Sequence, residues 1–306
     1  MLTNDLEAVV YPKALQPGDK IAILAPAGHV KRAYVDGAAQ TLRELGYEPV
    51  IYPTVDLRNG QFSGTPAQRF ADLKKALLDP EIRAVLCARG GYGLVHIMDS
   101  VASLPLRRDP KWVIGFSDIS ALHAIMASQG IASVHASMAQ HISRGADLPE
   151  NEALFSILKG EPQEYSFAPH PYNHKGKAEG KLLGGNLSVI QALIGTPYDV
   201  IKPGTILFIE DVDEPIYKIE RIIWQLRMAG ILERLQGLVI GQFTRYKPGD
   251  NHDTMEEMLR DALRDYPDLP VAFDVPVGHV RNNMPLIVSG KATLTVTPDS
   301  VTLRMR

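Results

Sequence analysis

Ser117 is the residue in this chain best set up by its neighbours to act as a nucleophile. The run Trp112-Val113-Ile114 is short, apolar and partly β-branched, whereas Ile119, Leu122, Ile125 and Met126 recur at helical spacing, so the hydrophobic period switches at Ser117. A strand breaking sharply into a helix lifts a hydroxyl out of the sheet and sets it beside backbone N–H groups and the positive end of the helix dipole. Ser117 followed by Asp118 is equally the pattern of a helix N-cap with an acid in the first turn. The stretch also departs from the G-x-S-x-G elbow, because Gly115 precedes Ser117 by two but Ile119 stands where the second glycine belongs. Partners elsewhere in the chain must decide between these readings.

A second cluster, Arg89-Gly90-Gly91-Tyr92-Gly93, follows the apolar run Ala84–Ala88. It matches neither G-x-G-x-x-G nor G-x-x-x-x-G-K-[ST], so a nucleotide-binding loop lacks its spacing and its lysine. Glycines also leave backbone N–H groups unhindered, and two such donors aimed at one point make an oxyanion hole. That is the use expected here. Cys87, the single cysteine, excludes an internal disulfide and a cysteine zinc cage, and within its apolar run it reads as a small buried filler.

The elements that carry these residues alternate. Lys20–Pro26 reads as a buried strand, a helical pattern through Ala38, Leu42 and Leu45 closes at Gly46, Val50–Tyr52 is the next strand, and Pro66–Leu78 the next helix. Such alternation predicts an α/β protein whose N-terminal domain is a doubly wound, flavodoxin-like parallel sheet, with its sites at the carboxyl ends of the strands. With 306 residues and 45% hydrophobic content the chain is long enough for two domains. The proline-rich, weakly periodic stretch between about Gly160 and Gly180 predicts the division: residues 1–165, a linker at 166–178, and a β-rich α/β domain at 179–306. Within that linker His170 and His174 lack a third ligand and read as surface histidines. In the second domain, Thr205–Ile209 is a strand whose mouth is crowded by Glu210, Asp211, Asp213 and Glu214. Pro285–Val288 and Ala292–Val296 read as antiparallel closing strands about Gly290.

Charge and targeting narrow the partners. A formal net charge of −3 without any dense basic block argues against nucleic acid. The N-terminal residues Met1–Glu7 carry acids where a secretory signal carries positive charge, and no apolar run is long enough to span a bilayer. A cytoplasmic protein with no membrane partner is expected.

Five motifs occur in order: Arg89-Gly90-Gly91-Tyr92-Gly93, Gly115-Phe116-Ser117-Asp118, Gly184-Gly185-Asn186-Leu187, Ile209 to Pro215, and Gly278-His279. Together, and over nearly the whole chain, they resemble the LD-carboxypeptidase family, the muramoyltetrapeptide carboxypeptidases. The resemblance implies a Ser-Glu-His peptidase that uses no metal or cofactor, assembles as a homodimer, and works in the cleft between its domains. Carried over by motif, the nucleophile falls on Ser117, the acid on Glu210 and the base on His279. The substrate so implied is a small peptide, the murein tetrapeptide of cell-wall recycling, cleaved at the L,D-bond to its terminal D-alanine. His135-Ala136-Ser137-Met138 departs from the His-Gly-Pro-Met-like segment of the family, which puts a pocket role for His135 in doubt.

The chemistry of the residues agrees with this assignment. A serine hydroxyl attacks near neutral pH only if an imidazole takes its proton, and the imidazolium needs a fixed carboxylate behind it. Glu210 is preferred among the four acids because it follows the strand directly, leaving the others to bind substrate or face water. Backbone N–H groups of Gly91 and Asp118 are the expected oxyanion donors, with Arg89, Gly90 and Asn186 as candidate substrate contacts. Arg89 has two readings, recognition of a terminal carboxylate or pinning of the glycine turn. Two other functions remain: a microcin-immunity-type peptidase cleaving aminoacyl-nucleotide conjugates, and a non-catalytic small-molecule binding protein.

Overall fold

The computed structural model describes residues 9–306; the acidic stretch Met1–Glu7 lies outside them. In the first unit, strands β1 (Lys20–Leu24), β2 (Glu48–Ile51), β3 (Ile82–Cys87), β4 (Trp112–Gly115) and β5 (Ser133–His135) pair in parallel in the order β2-β1-β3-β4-β5. This is the flavodoxin-like order, and its reversal point lies between β1 and β3. Ile21, Ala22, Ile23 and Leu24 are each at most 1% exposed, the continuous burial that a parallel sheet covered on both faces requires.

The connecting helices begin and end where local chemistry dictates. Helix Pro66–Leu78 opens with proline in its first turn and a reciprocal capping box between Thr65 and Gln68. Helix Arg32–Glu44 closes at Gly46, whose φ of 86° lets the Tyr47 N–H return 2.9 Å to the Leu42 carbonyl.

The second unit holds β6 (Gln163–Phe167), β7 (Gly176–Asn186), β8 (Thr205–Val212), β9 (Gly237–Thr244) and β10 (Val271–Ala272). After β10 the chain returns to the first unit as β11 (Leu286–Val288), antiparallel to β5, then re-enters the second as β12 (Lys291–Val296) and β13 (Val301–Met305). The second sheet has the order β10-β9-β8-β7-β12-β13-β6, parallel from β10 to β7 and antiparallel beyond.

Two expectations are corrected here. Leu286–Val288 does not close a hairpin with β12, because its three residues are all buried and apolar and extend the first sheet. β12 alternates in exposure and pairs with β7 and β13. The division of the chain also differs from 1–165, 166–178 and 179–306: the first unit is residues up to Glu161 with 286–290, and the second is 162–285 with 291–306. The expected linker is folded into the second unit. β6 pairs with β13, the His170 ring stacks on Phe273 at 5.5 Å, and the Asn173 side-chain oxygen accepts the Phe273 N–H at 2.8 Å. His174, half-buried rather than a surface residue, bridges to Val271 and holds the Tyr266 carbonyl through Nδ1. These contacts are long-range, so the segment carries no local period.

β7 reaches β8 so closely that a methyl group on Gly184, which has a φ of 150°, would lie 1.9 Å from the Phe208 carbonyl oxygen. Gly184→Ala is therefore expected to destabilise the chain by at least about 3 kcal/mol. Equilibrium denaturation in urea checks this, with Gly195→Ala, at an open turn with nothing within 4 Å, as the comparison.

Candidate active site

Ser117 leaves β4 with a φ of 67°, a left-handed conformation that costs a non-glycine residue free energy and recurs at nucleophile turns. It is not the helix N-cap. Phe116 occupies the cap position, Ser117 is the first residue of a short 3₁₀ turn leading into helix Ser120–Ser128, and its hydroxyl has no hydrogen bond among the described residues. The missing second glycine of the elbow also has a structural reason. Gly115 supplies the space, since a methyl there would sit 3.0 Å from Ile119 Cγ1, and Ile119 fills the gap with its own side chain.

The glycine turn lies against this serine. A methyl on Gly90 would come within 2.8 Å of Ser117 Cβ and 3.1 Å of its Oγ, so only glycine permits the approach. The Gly28 N–H donates to the Gly90 carbonyl at 2.8 Å, joining the loop after β1 to the loop after β3 at the reversal point of the sheet. The N–H groups of Gly91 and Asp118 have no acceptor among the described residues. Arg89, exposed, donates Nη1 to the His29 carbonyl at 2.8 Å, which matches its turn-pinning reading and leaves its remaining N–H groups for another partner.

Several residues that the sequence reading passed over hold this half in place. His123, fully buried, bonds the Gly115 carbonyl through Nε2 and Ser133 through Nδ1, both at 2.8 Å, and burial pulls its pKa down to about 4. Arg69, also fully buried, donates to the Pro26 and Gly93 carbonyls. Its signal was present in the sequence, because Arg69 shares the apolar stripe of Leu73, Ala76 and Leu77. His135 is packed beside Phe116 and His123 in the core. Cys87 is inert filler, its thiol pushed far up by burial.

In the second unit, Glu210 and His279 meet. The His279 Nδ1 donates to Glu210 Oε2 at 2.8 Å, with the carboxylate 0% exposed and the imidazole 19%. A bulge aims Glu210: the pairing of β8 with β9 shifts between Ile209 and Asp211, opposing Gly241 and Gln242 to Glu210 alone. Gln242 then bridges Gly278, which carries His279 next in sequence. A methyl on Gly278 would lie 2.7 Å from Glu210 Oε2, so the Gly-His pair is dictated by the carboxylate beneath it. Burial pushes the Glu210 carboxyl up; the His279 hydrogen bond is the main opposing influence, neighbouring Asp211 adds to the rise, and the Asn186 amide lowers it.

The other acids divide differently from expectation. Asp211 neither faces water nor lies open to a ligand; it is 2% exposed and accepts Asn186 Nδ2 at 2.9 Å and the Ser188 N–H at 2.8 Å. Asn186 itself caps the following helix through the Val189 N–H at 3.2 Å, so its amide is committed to the fold at both ends rather than offered to substrate. Asp213 and Glu214 pair with Arg245 and Lys218. Thus Arg89, Gly90, Gly91, Ser117 and Asp118 assemble in the first unit, and Asn186, Glu210 and His279 in the second.

Comparison with known proteins accords with this distribution. Residues 21–136 match the LD-carboxypeptidase N-terminal domain and residues 179–294 the LD-carboxypeptidase C-terminal domain. The murein tetrapeptide carboxypeptidase of Pseudomonas aeruginosa is 30% identical over 280 residues, covering 88% of this chain and 91% of its own. The crystal structure of muramoyltetrapeptide carboxypeptidase from Oxalobacter formigenes, 29% identical, superposes with a TM-score of 0.84 over 94% of this chain and 98% of its own. An MccF-like protein from Bacillus anthracis str. Ames, 21% identical, shares the fold with a TM-score of 0.83 over 97% and 99%. These matches define a hydrolase of the carboxypeptidase class. The chain belongs to the LD-carboxypeptidase family. Among the described residues no helix is long and apolar enough to cross a membrane.

Two buried groups of the serine half titrate in opposite senses. His123, lowered to about 4 in the fold, withdraws stability as pH falls from its unfolded value near 6.5. Asp118, raised to about 6, binds its proton more readily folded than unfolded and adds stability over much of that window. Asp118→Asn removes the compensating group, so its melting temperature is expected to fall more steeply than wild type between pH 7 and pH 5. Parallel thermal scans across that range check this.

Proposed function

We propose that this protein hydrolyses the L,D-peptide bond to the terminal D-alanine of murein tetrapeptides, with Ser117 as nucleophile, His279 as base and Glu210 as its acid partner. The observation that carries the reading is the 2.8 Å bond from His279 Nδ1 to a fully buried carboxylate. A carboxylate accepts, so Nδ1 bears the proton and the basic lone pair lies on Nε2, the state a general base requires. The strained, uncapped Ser117 supports the nucleophile role.

In the first step Ser117 Oγ attacks the scissile carbonyl carbon while its proton passes to His279. Backbone N–H groups of Gly91 and Asp118 hold the oxyanion, each worth about 3 kcal/mol. The C–N bond then breaks, D-alanine leaves with the proton from His279, and the tripeptide remains esterified to Ser117. Water adds to that ester, His279 takes its proton and returns it to Ser117 Oγ, and the tripeptide acid departs. No metal or cofactor enters this scheme. The names of the relatives support a murein-peptide substrate; a cytoplasmic role in cell-wall recycling and a homodimeric state belong to the same reading through the family resemblance alone.

The fold likeness to the MccF-like protein does not choose between tetrapeptide and aminoacyl-nucleotide substrates. D-Alanine release from tetrapeptide, measured with and without a non-hydrolysable aminoacyl-adenylate analogue, makes the choice: uninhibited release favours the tetrapeptide reading. Ser117→Ala is expected to lower release by about 10³-fold or more while leaving the melting temperature unchanged. Retained activity in that variant excludes Ser117 as nucleophile. For Arg89, recognition of the terminal carboxylate predicts that Arg89→Lys raises KM for the free acid and leaves cleavage of a C-terminally amidated analogue little altered. Equal losses on both substrates assign Arg89 to the turn alone.

A further inference from the structure

One peptide unit of the glycine turn is gripped at both ends by buried charge. The Gly93 carbonyl accepts Nη1 of Arg69 at 2.8 Å, and the Leu94 N–H of the same peptide donates to Asp118 Oδ2 at 2.9 Å. Arg69 is 0% exposed and Asp118 6%. The peptide dipole therefore lies between cation and anion with its negative end on the guanidinium and its positive end on the carboxylate, the orientation in which each bond strengthens the other. The neighbouring Gly93 N–H adds to the field that favours the charged carboxylate. Position 93 must be glycine, since its φ is 134° and a methyl there would meet Arg69 Nη1 at 2.9 Å and the Phe62 ring at 3.0 Å.

The grip bears on the serine because the same short turn ends at Gly90 against Ser117, while Asp118 is the residue after Ser117. Asp118 therefore ties the backbone on one side of the hydroxyl to the turn on the other. Arg69 fixes the far side of that turn to the loop after β1 through the Pro26 carbonyl at 2.8 Å.

We propose that the side chains of Asp118 and Arg69 are positioning residues for the oxyanion donors: by clamping the Gly93–Leu94 peptide between them, they hold the Gly91 N–H in register with Ser117. This rests on the roles assigned above to Ser117 and Gly91. Neither clamping side chain touches a reacting atom; the Asp118 backbone N–H and its carboxylate have separate tasks.

An alternative use of the same contacts is simple stabilisation of the fold. The charge state argues against it, because burial raises Asp118 to about 6 despite the opposing Leu94 N–H, the Arg69 guanidinium and the Gly93 N–H. An anion held at such a cost is poorly suited to stability, where a neutral group of the same shape serves as well or better. Among the described residues the Leu94 N–H bonds the carboxylate and the Arg69 guanidinium and Gly93 N–H lie near enough to stabilise its charge; His96 is reached through Arg69 Nη2 at 3.3 Å.

The test uses the full chain at pH 7.5 as wild type, Asp118→Asn and Ser117→Ala, with Asp118→Ser as a second variant should the asparagine protein fail to fold. Three quantities are read: melting temperature, hydrogen exchange of the amides at 91–94, and kcat and KM for tetrapeptide. The clamp predicts an undiminished melting temperature in Asp118→Asn, about tenfold faster exchange in the turn, and a kcat lower by about 10–100-fold with KM nearly constant. Unchanged exchange overturns it, as does an unchanged kcat or a fall in kcat matched by lost stability. A wild type that releases D-alanine and a Ser117→Ala protein that does not secure the underlying reading, so an unaltered kcat in Asp118→Asn then refutes the clamp alone. A wild type that releases none sinks the function and the clamp together.

Discussion

The constraint on which the second unit depends is the complete burial of one carboxylate, Glu210, at the end of β8. An isolated anion in such a place is prohibitively unfavourable, and the partner supplied to it is the His279 imidazole on Oε2, while Oε1 is buried without a hydrogen bond among the described residues. The bulge opposite Glu210 turns it toward His279, and glycine is required at 278, where a methyl would lie 2.7 Å from Glu210 Oε2, and at 241, where one would lie 2.6 Å from the Val277 carbonyl oxygen. Asp211 next to it accepts the Asn186 amide and the Ser188 N–H and so anchors the helix that Asn186 caps. Two adjacent acids on one strand thus serve opposite ends: one holds an imidazole, the other holds the fold.

The first unit solves a related problem with backbone rather than side chains. Ser117 is forced into a left-handed conformation by the strand-to-helix turn, and the cost is borne by His123 below it and the glycine turn beside it. His123 fixes the last carbonyl of β4, so the break in the strand comes at a defined point. Strain, burial and glycine-only contacts converge on one hydroxyl, which is how a fold concentrates local disadvantage where chemistry needs it.

Much of this was legible from the residues. The switch of period at Ser117 and the glycines after β3 each marked a strand end, because strand ends in open α/β sheets carry turn chemistry that stands out from apolar runs; the acids after Ile209 did not, since β8 runs on through Glu210 and Asp211 to Val212. Helix Pro66–Leu78 was legible to the residue because proline and a capping box punctuate it. What was not legible was whatever depends on distant partners. Residues 166–178 read as a linker because stacking of His170 on Phe273 leaves no local period, and Leu286–Val288 read as half of a hairpin because nothing nearby announces that its partner is β5. The division of labour between Glu210 and Asp211 was likewise set by a bulge, which sequence spacing does not reveal.

The return of β11 to the first sheet gives this chain an architecture that resists modular evolution. A gene fragment ending at Glu161 would encode the first unit without its antiparallel border, leaving the backbone groups of β5 open along one side. Such an uncovered edge pairs readily with other chains, so the fragment is a poor candidate for independent life as a domain. The chain passes between the two units after residues 161, 285 and 290 rather than once. Recombination that exchanges one for a homologous unit must therefore import two separate stretches of sequence at once.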